Sequence, residues 1–382
     1  MFVLSSKIIS SQQCNVMSET IDQHVLEQYD IAQKVGQGAY GIVWKATHRK
    51  SGQTVALKKC FDAFRNNTDS MRTFREVAYL KAMSGHENIV NIRGVLPACG
   101  DRDLYITFEY MQTDLSHVIK AKLLTEIHVK FIAYQLLRAL KYIHSAELLH
   151  RDIKPSNILI DDNCYIKLCD FGLCRSIDET FGNLELTDYV MTRWYRAPEV
   201  LFGSKKYTKG VDLWSVGCII GEMIRGRPLI AGACTMSQIQ KVLEVTGNPT
   251  DEVVASWQSP FAQKMLVNAK AKRRLRLNEL CPNLPRDAKR MMKRLFRLDP
   301  DERIAADAAL EHEYLAEFHN PDTEPSYPHG PIDIGINDNT KLSAEEYRMQ
   351  LYRMIHQGSI DQRMTHDASE VIKPRKVTMD GT

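Results

Sequence analysis

The sequence predicts an α+β protein of two unequal lobes, a small β-rich one followed by a larger helical one. Three observations carry this. Short β-rich runs separated by turn signals crowd the stretch from Tyr29 to Glu109. From Met111 onward helical periodicity dominates, and no internal repeat breaks the order. Strands first and helices second argue for segregated layers rather than alternating βαβ units. The 382 residues are 44% apolar and 25% charged, which is globular usage and excludes wholesale disorder and fibrous repeats.

Taken in order, residues 1–28 are rich in Ser, Gln and Thr and read as a flexible extension, with Val16 or Val25 able to pack locally. The β-rich runs are Tyr29–Val35, Gly41–Ala46, Thr54–Lys58, Ile89–Val95 and Leu104–Glu109, with turns such as Ser51-Gly52 and Gly100-Asp101 between them. One helix interrupts them, Ser70–Met83, with Phe74, Val77, Ala78 and Leu80 on one side. A long helix, Ile127–His144, carries Phe131, Gln135, Leu136, Leu140 and Ile143 at helical spacing. The expected organisation is a main domain over 29–318, split into lobes 29–109 and 110–318, then a C-terminal extension over 319–382. Its segment Asn320–Pro331 holds four prolines and reads as an extended linker.

Lys plus Arg minus Asp plus Glu is 50 − 47 = +3, so the overall charge gives no push toward DNA or membrane. Nine cysteines without a CxxC pair fit a reducing compartment better than a disulfide framework or zinc cage. The longest apolar stretch, Leu213–Ile224, contains Glu222 and falls short of the roughly 20 apolar residues a spanning helix needs. The opening MFVLSSKIIS has too short an apolar run for a secretory signal, and Phe2 excludes N-myristoylation. The expectation is a soluble protein of the cytoplasm, with the nucleus as a second place.

Several motifs carry chemistry. Gly36-Gln37-Gly38-Ala39-Tyr40-Gly41 is a GxGxxG, a weak signal alone because it also fits a dinucleotide-binding turn. Here a strand, Ile42–Lys45, follows the glycines, whereas a dinucleotide turn opens a helix. Val55-Ala56-Leu57-Lys58 then ends on a cation 18 residues before Glu76. A phosphate chain needs a fixed cation, and a Glu from the neighbouring helix can hold the floppy lysine in place. His150-Arg151-Asp152-Ile153-Lys154-Pro155-Ser156-Asn157 follows the long helix, and Asp170-Phe171-Gly172 lies 18 residues beyond Asp152. Between them Ile158–Ile160 and Tyr165–Leu168 read as a hairpin that brings both loops to one edge. Asp152 can then accept a hydroxyl proton while Asn157 and Asp170 supply hard oxygen ligands to Mg²⁺.

Together with Ala197-Pro198-Glu199, this ordered set resembles the eukaryotic protein kinases over Tyr29 to about Phe318. The resemblance implies the bilobal kinase fold with ATP in the cleft. It implies contacts to ATP from Val35, Gly36, Gln37, Gly38, Ala39, Tyr40, Gly41, Val43, Ala56, Lys58, Phe108, Glu109, Met111 and Asp114. Phe108 would back the adenine pocket and Glu109-Tyr110-Met111 would form the hinge. It further implies that Asp212 anchors the catalytic loop and that Arg303 pairs with Glu199. Lys154, two residues after Asp152, resembles the serine/threonine class and can neutralise the transferring phosphoryl group.

The segment Thr187-Asp188-Tyr189, followed by Thr192-Arg193-Trp194-Tyr195-Arg196-Ala197-Pro198-Glu199, resembles the lip of the mitogen-activated protein kinases. Cyclin-dependent kinases share the glycine and RAPE runs but lack Thr-x-Tyr. Within the mitogen-activated group, Phe108, Pro228–Gly232 and Leu342–Arg348 point to the atypical extracellular-signal-regulated branch. Asp188 stands where Glu is commoner, and Met191 replaces a small residue. The resemblance implies a switch by phosphorylation of Thr187 and Tyr189, with Arg72, Arg75, Arg151 and Arg175 around the first phosphate and Arg193 and Arg196 around the second. It implies protein substrates with Ser/Thr-Pro sites, lip phosphorylation by an upstream dual-specificity kinase or by the chain itself, and phosphatases as partners. Membrane insertion and nucleic-acid binding are not expected. The rival reading is a catalytically silent scaffold, and the intact set Lys58, Glu76, Asp152, Asn157 and Asp170 argues against it.

Three further segments give expectations. Asn320–Pro325 occupies the place of the family's acidic docking patch, with Asn320 where Asp is common, so docking of basic peptides would be weaker than in typical members, with a solvated linker as the alternative. The basic run Lys270–Arg276 reads as a solvated helix face, with a nucleic-acid or partner patch as the alternative. In the tail, Ser343-Ala344-Glu345-Glu346 is a capping box, flanked by a Leu342–Tyr347 staple. Tyr347, Leu351, Met354 and Ile355 line one face of a helix expected over about 343–356. A helix this short is marginal alone, so the stripe should dock, near the Glu76 helix by the resemblance.

Overall fold

The computed structural model describes residues 20–38, 41–177, 193–204, 206–271, 273–336 and 342–355. The lip residues Thr187 and Tyr189, with Ala39, Tyr40, Met191 and Thr192, lie outside them, as does Val16.

Five antiparallel strands build the small lobe: β1 (Tyr29–Gly38), β2 (Gly41–His48), β3 (Thr54–Cys60), β4 (Ile92–Pro97) and β5 (Leu104–Glu109), in the order β1-β2-β3-β5-β4. β1 is an edge strand with bulges after Ile31 and Lys34, and most of it is exposed. β5 is buried from Leu104 through Phe108 because both faces of the sheet are covered. Leu104, Ile106 and Phe108 face helix α2 (Asn67–Ala82) and the main core. Tyr105 faces the other way, with Leu57, Val55 and Ala46, into a second cluster closed by Val25 of the short helix α1 (Gln23–Leu26). Residues 20–28 are thus a packed cap on the outer face of the sheet, and not the flexible stretch that their polar composition suggests.

The strand expected at Ile89 starts at Ile92 instead. Ile89 bridges to Leu168 and the Val90 amide donates to the Leu168 carbonyl at 3.0 Å, so this stretch pairs with the large lobe before joining the sheet. Helix α2 is buried on more than its apolar side, since Thr73, Arg75 and Glu76 are also covered. The chain then passes through β6 (Thr113–Asp114), helix α3 (Leu115–Ala121) and helix α4 (Glu126–Ser145). Gln135 of α4 is buried, accepts from Asn88 Nδ2 at 3.1 Å and the Ile166 amide at 3.0 Å, and donates to the Cys164 carbonyl at 2.7 Å. Strands β7 (Leu148–Leu149), β8 (Ile158–Ile160), β9 (Ile166–Leu168) and β10 (Arg175–Ser176) follow, and β8 pairs with β9 as the expected hairpin. The apolar stretch near Leu213 is the buried helix α5 (Gly210–Arg225), against which α4 packs.

Two linker expectations are corrected. In the Asn320–Pro331 segment, Asn320 caps a short 3₁₀ turn (Pro321–Thr323), and Glu324 is 3% exposed. Glu324 accepts from His319 Nδ1 at 2.9 Å and the Asn320 amide at 3.0 Å, so this acid ties down its own turn and is not offered to a docking peptide. The described residues of the basic run, 270, 271 and 273–276, lie between helices Ala262–Ala269 and Leu277–Leu280 and in neither, and the Leu275 amide bonds to the Glu244 carbonyl. The tail runs along α4, where the Tyr327 amide donates to Ser145 Oγ at 2.7 Å and the Ile332 amide to the Ala146 carbonyl at 3.2 Å. It ends in helix α6 (344–355), whose capping box forms as expected: Glu346 N–H to Ser343 Oγ at 3.2 Å, Ser343 N–H to Glu346 Oε2 at 2.8 Å. This helix lies on α2, with the Ala344 amide donating to Asn67 Oδ1 and Lys81 Nζ donating to the Met354 carbonyl.

Candidate active site

Strand β3 delivers Lys58 to the cleft. Its register sets Lys58 opposite Val43 on one side and Ile106 on the other, which fixes the Cα position. Helix α2 is started by Asn66, whose side chain accepts the Asp69 amide, and it carries Glu76 toward the strand. Lys58 Nζ lies 2.7 and 2.9 Å from the two Glu76 oxygens. Burial alone would favour the neutral amine, but the Glu76 carboxylate outweighs it and holds the Lys58 pKa above the ordinary lysine value. A positioned cation therefore sits in the cleft, with the Phe108 ring 5.9 Å away.

The loop that carries Asp152 hangs from Asp212 in the first turn of α5. The Asp212 carboxylate is 1% exposed and accepts from the His150 amide at 2.9 Å, the Arg151 amide at 2.8 Å and His144 Nε2 at 2.9 Å. Burial pushes its pKa up, but the His144 hydrogen bond leads a set of donors that brings it below the usual carboxylate value. Arg151 and Asp170 both hold positive φ, +68° and +66°, a strained state that at Arg151 is held by its amide's bond to Asp212. His150 also donates to the Cys169 carbonyl at 3.1 Å and meets the Phe171 ring edge-on, which couples the two loops.

Asp152, Asn157 and Asp170 converge. Lys154 Nζ lies 2.6 Å from Asp152 Oδ2. Asn157 Nδ2 donates to the Asp152 carbonyl at 2.9 Å and its Oδ2 at 3.1 Å, and reaches Asp170 Oδ2 at 3.5 Å. Burial pushes the Asp152 carboxyl up, Lys154 pulls against it, and the Asp170 carboxylate adds to the rise. A raised pKa makes Asp152 a stronger proton acceptor than a surface aspartate. With the Asn157 amide nitrogen spent on Asp152 and Asp170, its carbonyl oxygen remains for a cation. That oxygen and the Asp170 carboxylate are the hard donors that suit Mg²⁺.

The glycine hairpin forms the roof, with Gly38 opposite Gly41 across β1 and β2. A Cβ on Gly36 or Gly38 would meet nothing within 4 Å, so open space lies over this backbone where a phosphate chain can approach. Gly41 differs: a Cβ there would sit 2.1 Å from the Lys59 carbonyl oxygen. Val35 is 41% exposed, an apolar side chain left open on the hairpin, while Gln37 accepts from Lys34 within it. Ala56 lies opposite Phe108 on adjacent strands, and Met111 is half-buried just past β5. Two expected ATP-contact residues have their carboxylates committed elsewhere. Glu109 Oε1 accepts from the Asn91 amide at 2.8 Å and Lys167 Nζ at 3.0 Å, and Asp114 caps α3 by accepting from Ser116 and His117. A contact from Glu109 would then come from its backbone.

Arg75, Arg151 and Arg175 sit on adjoining elements. Burial lowers the Arg151 pKa, the ring of Tyr207 at 5.0 Å opposes this, and the nearby Arg75 cation adds to the lowering. Arg175 lies opposite Leu149 in the β7–β10 pair, and the Arg72 carbonyl backs Gly172. Arg193 and Arg196 stand at the 3₁₀ turn where the described chain resumes. Arg303 clasps Glu199 with two hydrogen bonds, 2.9 and 3.0 Å, fully buried, as the resemblance implies. The sequence reading missed His144; its one signal was a polar residue in the last turn of a buried helix, six positions before His150.

The protein kinase domain family matches residues 29–315. The chain is 50% identical to "Extracellular signal-regulated kinase 2" of Dictyostelium discoideum over 350 residues, 91% of this chain and 95% of that protein. It is 48% identical to "Mitogen-activated protein kinase 15" of Xenopus laevis, covering 88% of this chain but 58% of that longer protein. It is 40% identical to "Mitogen-activated protein kinase mpkB" of Aspergillus fumigatus, covering 88% of this chain and 97% of that protein.

Proposed function

We propose that this chain, which belongs to the protein kinase family and within it to the mitogen-activated serine/threonine kinases, moves the γ-phosphoryl group of ATP to Ser or Thr hydroxyls that precede proline. The observation that carries the chemistry is the closed set Lys58–Glu76 and Asp152–Asn157–Asp170. A silent scaffold has no use for it.

In this reading Lys58, held by Glu76, positions the ATP phosphates under the open backbone of Gly36 and Gly38. Asn157 and Asp170 would hold Mg²⁺, which would supply positive charge beside the phosphates. Asp152 accepts the proton of the substrate hydroxyl, and Lys154, 2.6 Å from Asp152, offsets charge on the transferring group. The preference for proline rests on the Thr192–Arg196 run: a residue after the acceptor with an N–H would leave that donor unsatisfied, and proline has none. Activity rises when Thr187 and Tyr189 are phosphorylated, because the arginines at 72, 75, 151, 175, 193 and 196 gain an anion. Its protein partners are such substrates, a lip-phosphorylating kinase or a second copy of the chain, and the opposing phosphatases. Among the described residues no helix is long and apolar enough to cross a membrane. All eight described cysteines are free thiols, which supports a reducing compartment, the cytoplasm or nucleus.

The test is phosphate transfer to paired peptides. Asp152→Asn should keep ATP binding and lose roughly 10²–10⁴ in turnover. A Ser-Pro peptide should outpace its Ser-Ala twin. Wild-type turnover in Asp152→Asn would remove the base assignment, and equal rates for the twins would remove the proline preference alone.

A further inference from the structure

The outer face of the small-lobe sheet, opposite α2, holds a cluster that phosphoryl transfer does not use. Asp22 and His24 come from the N-terminal cap, and Cys99 from the connection between β4 and β5. A carboxylate oxygen, a ring nitrogen and a sulfur, one from each, all lie within 4.8 Å of one another. We propose that Asp22, His24 and Cys99 form a Zn²⁺ site that fastens the N-terminal segment to the small lobe.

The geometry suits that ion. Cys99 Sγ lies 3.8 Å from His24 Nδ1. Two ligand atoms about 2.3 and 2.1 Å from a tetrahedral zinc stand roughly 3.6 Å apart, so a small inward movement closes the site. The rest of the hydrogen bonding is arranged around the metal-facing atoms. His24 Nε2–H donates to the Pro97 carbonyl at 2.9 Å, which leaves the Nδ1 lone pair pointed at the sulfur. A zinc-bound histidine ordinarily gives its second N–H to such a partner, which fixes its tautomer and ring plane. The Cys99 amide donates to Asp22 Oδ2 at 2.6 Å and orients the carboxylate. One nearby cation opposes the site: Lys59 Nζ lies 3.9 Å from Asp22 Oδ1, but its closer bond is to the Thr20 carbonyl at 2.8 Å.

The donor set also selects the metal class. A thiolate with an imidazole and a carboxylate favours zinc over Mg²⁺ or Ca²⁺, which prefer all-oxygen ligands. On binding, the Cys99 S–H bond breaks, a Zn–S bond forms, and one proton leaves to solvent; no oxidant or reductant is required. Three protein ligands leave a fourth position for water. Because Val25, between His24 and the strand, closes the Tyr105 cluster, zinc would hold this cap in register on the sheet.

The test uses the full chain, stripped with chelator and titrated with Zn²⁺ against a chromophoric competitor, then with Co²⁺ as a spectroscopic probe. The wild type should take up one equivalent of Zn²⁺ that Cys99→Ser and His24→Gln each weaken by about 100-fold or more. Bound Co²⁺ should show a thiolate-to-metal charge-transfer band that Cys99→Ser abolishes. Hydrogen exchange of amides 20–28 should slow when Zn²⁺ is added. Cys99 is exposed, so Cys99→Ser should keep the wild-type urea melt without metal. Equal Zn²⁺ uptake by wild type and both variants, or Co²⁺ bound without a thiolate band, would overturn the proposal.

Discussion

Docking of the tail helix can be tested through one side chain. Leu351 is fully buried and Tyr347 is 2% exposed, its ring 5.9 Å from that of Phe74 on α2. Leu351→Asp puts a carboxylate into that contact, and burying it unpaired costs more than the site returns, so α6 should let go. Release forfeits the burial of Leu351 and Tyr347, roughly 1.5–3 kcal/mol each, and the chain entropy regained brings the net loss to about 2–4 kcal/mol. Urea unfolding measures this loss, and hydrogen exchange locates it. Amides 344–355 should exchange near the free-peptide rate in the variant, while those of α4 stay protected. The same helix α2 carries Glu76, so turnover should fall several-fold as the Lys58–Glu76 pair loosens. Wild-type amides 344–355 that already exchange like a free peptide, or a variant with an unchanged melt, would refute the docking argument.

Three other outcomes follow from the geometry. Gly41→Ala should lower stability by about 1–3 kcal/mol by driving a methyl onto the Lys59 carbonyl, whereas Gly38→Ala should leave the melt within about 0.5 kcal/mol; urea curves for the pair decide it. Glu199→Ala should destabilise by about 3–5 kcal/mol, since it strands the Arg303 guanidinium in a site closed to water, and a melt no worse than that of an exposed Glu→Ala control would contradict this. His86 is pushed down to about 4 by burial and then by Arg138, against an ordinary value of 6.5, so it folds neutral while the unfolded chain takes up a proton below about 6.5. Its share of stability is present above that pH and falls by about 2 kcal/mol between pH 7.5 and 5; the loss should be smaller in His86→Asn, and parallel curves for the two proteins would argue against it.

The site was legible because each motif fixes a local backbone shape together with a charge. Lys58 and Glu76, Asp152 with Asn157 and Asp170, and Glu199 with Arg303 all meet as the resemblance implies. The tail helix was legible for a different reason, since its cap, staple and apolar stripe are all local. What escaped the sequence reading was non-local. Residues 20–28 look polar, and where Val25 was open to local packing its partners are non-local: with Ile21 it reaches a cluster assembled from β1, β2, β3 and β5. Ile89 has strand propensity, yet its partner is Leu168 of the other lobe. Glu324 carries no mark of burial, because its partner His319 becomes close only when the chain turns at Pro321. Nothing local in the sequence marks that Asn91 and Lys167 claim the Glu109 carboxylate and that Ser116 and His117 claim that of Asp114.

The two halves of the candidate active site are supported by different means. Asp152 belongs to a loop suspended from Asp212, a buried carboxylate on a helix that is itself core, so the proposed base is set by the folding of the large lobe. Lys58 depends on Glu76, and the Glu76 helix is held on its outer side by residues 344–355 through Asn67, Phe74 and Lys81. Loss of the tail should therefore uncouple the two. The Asp152–Lys154 pair would persist while the phosphate-positioning lysine lost its partner, and turnover should fall with peptide affinity kept. A perturbation of Asp212 should act in the opposite order, misplacing the base while the lysine stays held. Measuring kcat and both KM values for Leu351→Asp beside Asp212→Asn separates the two supports.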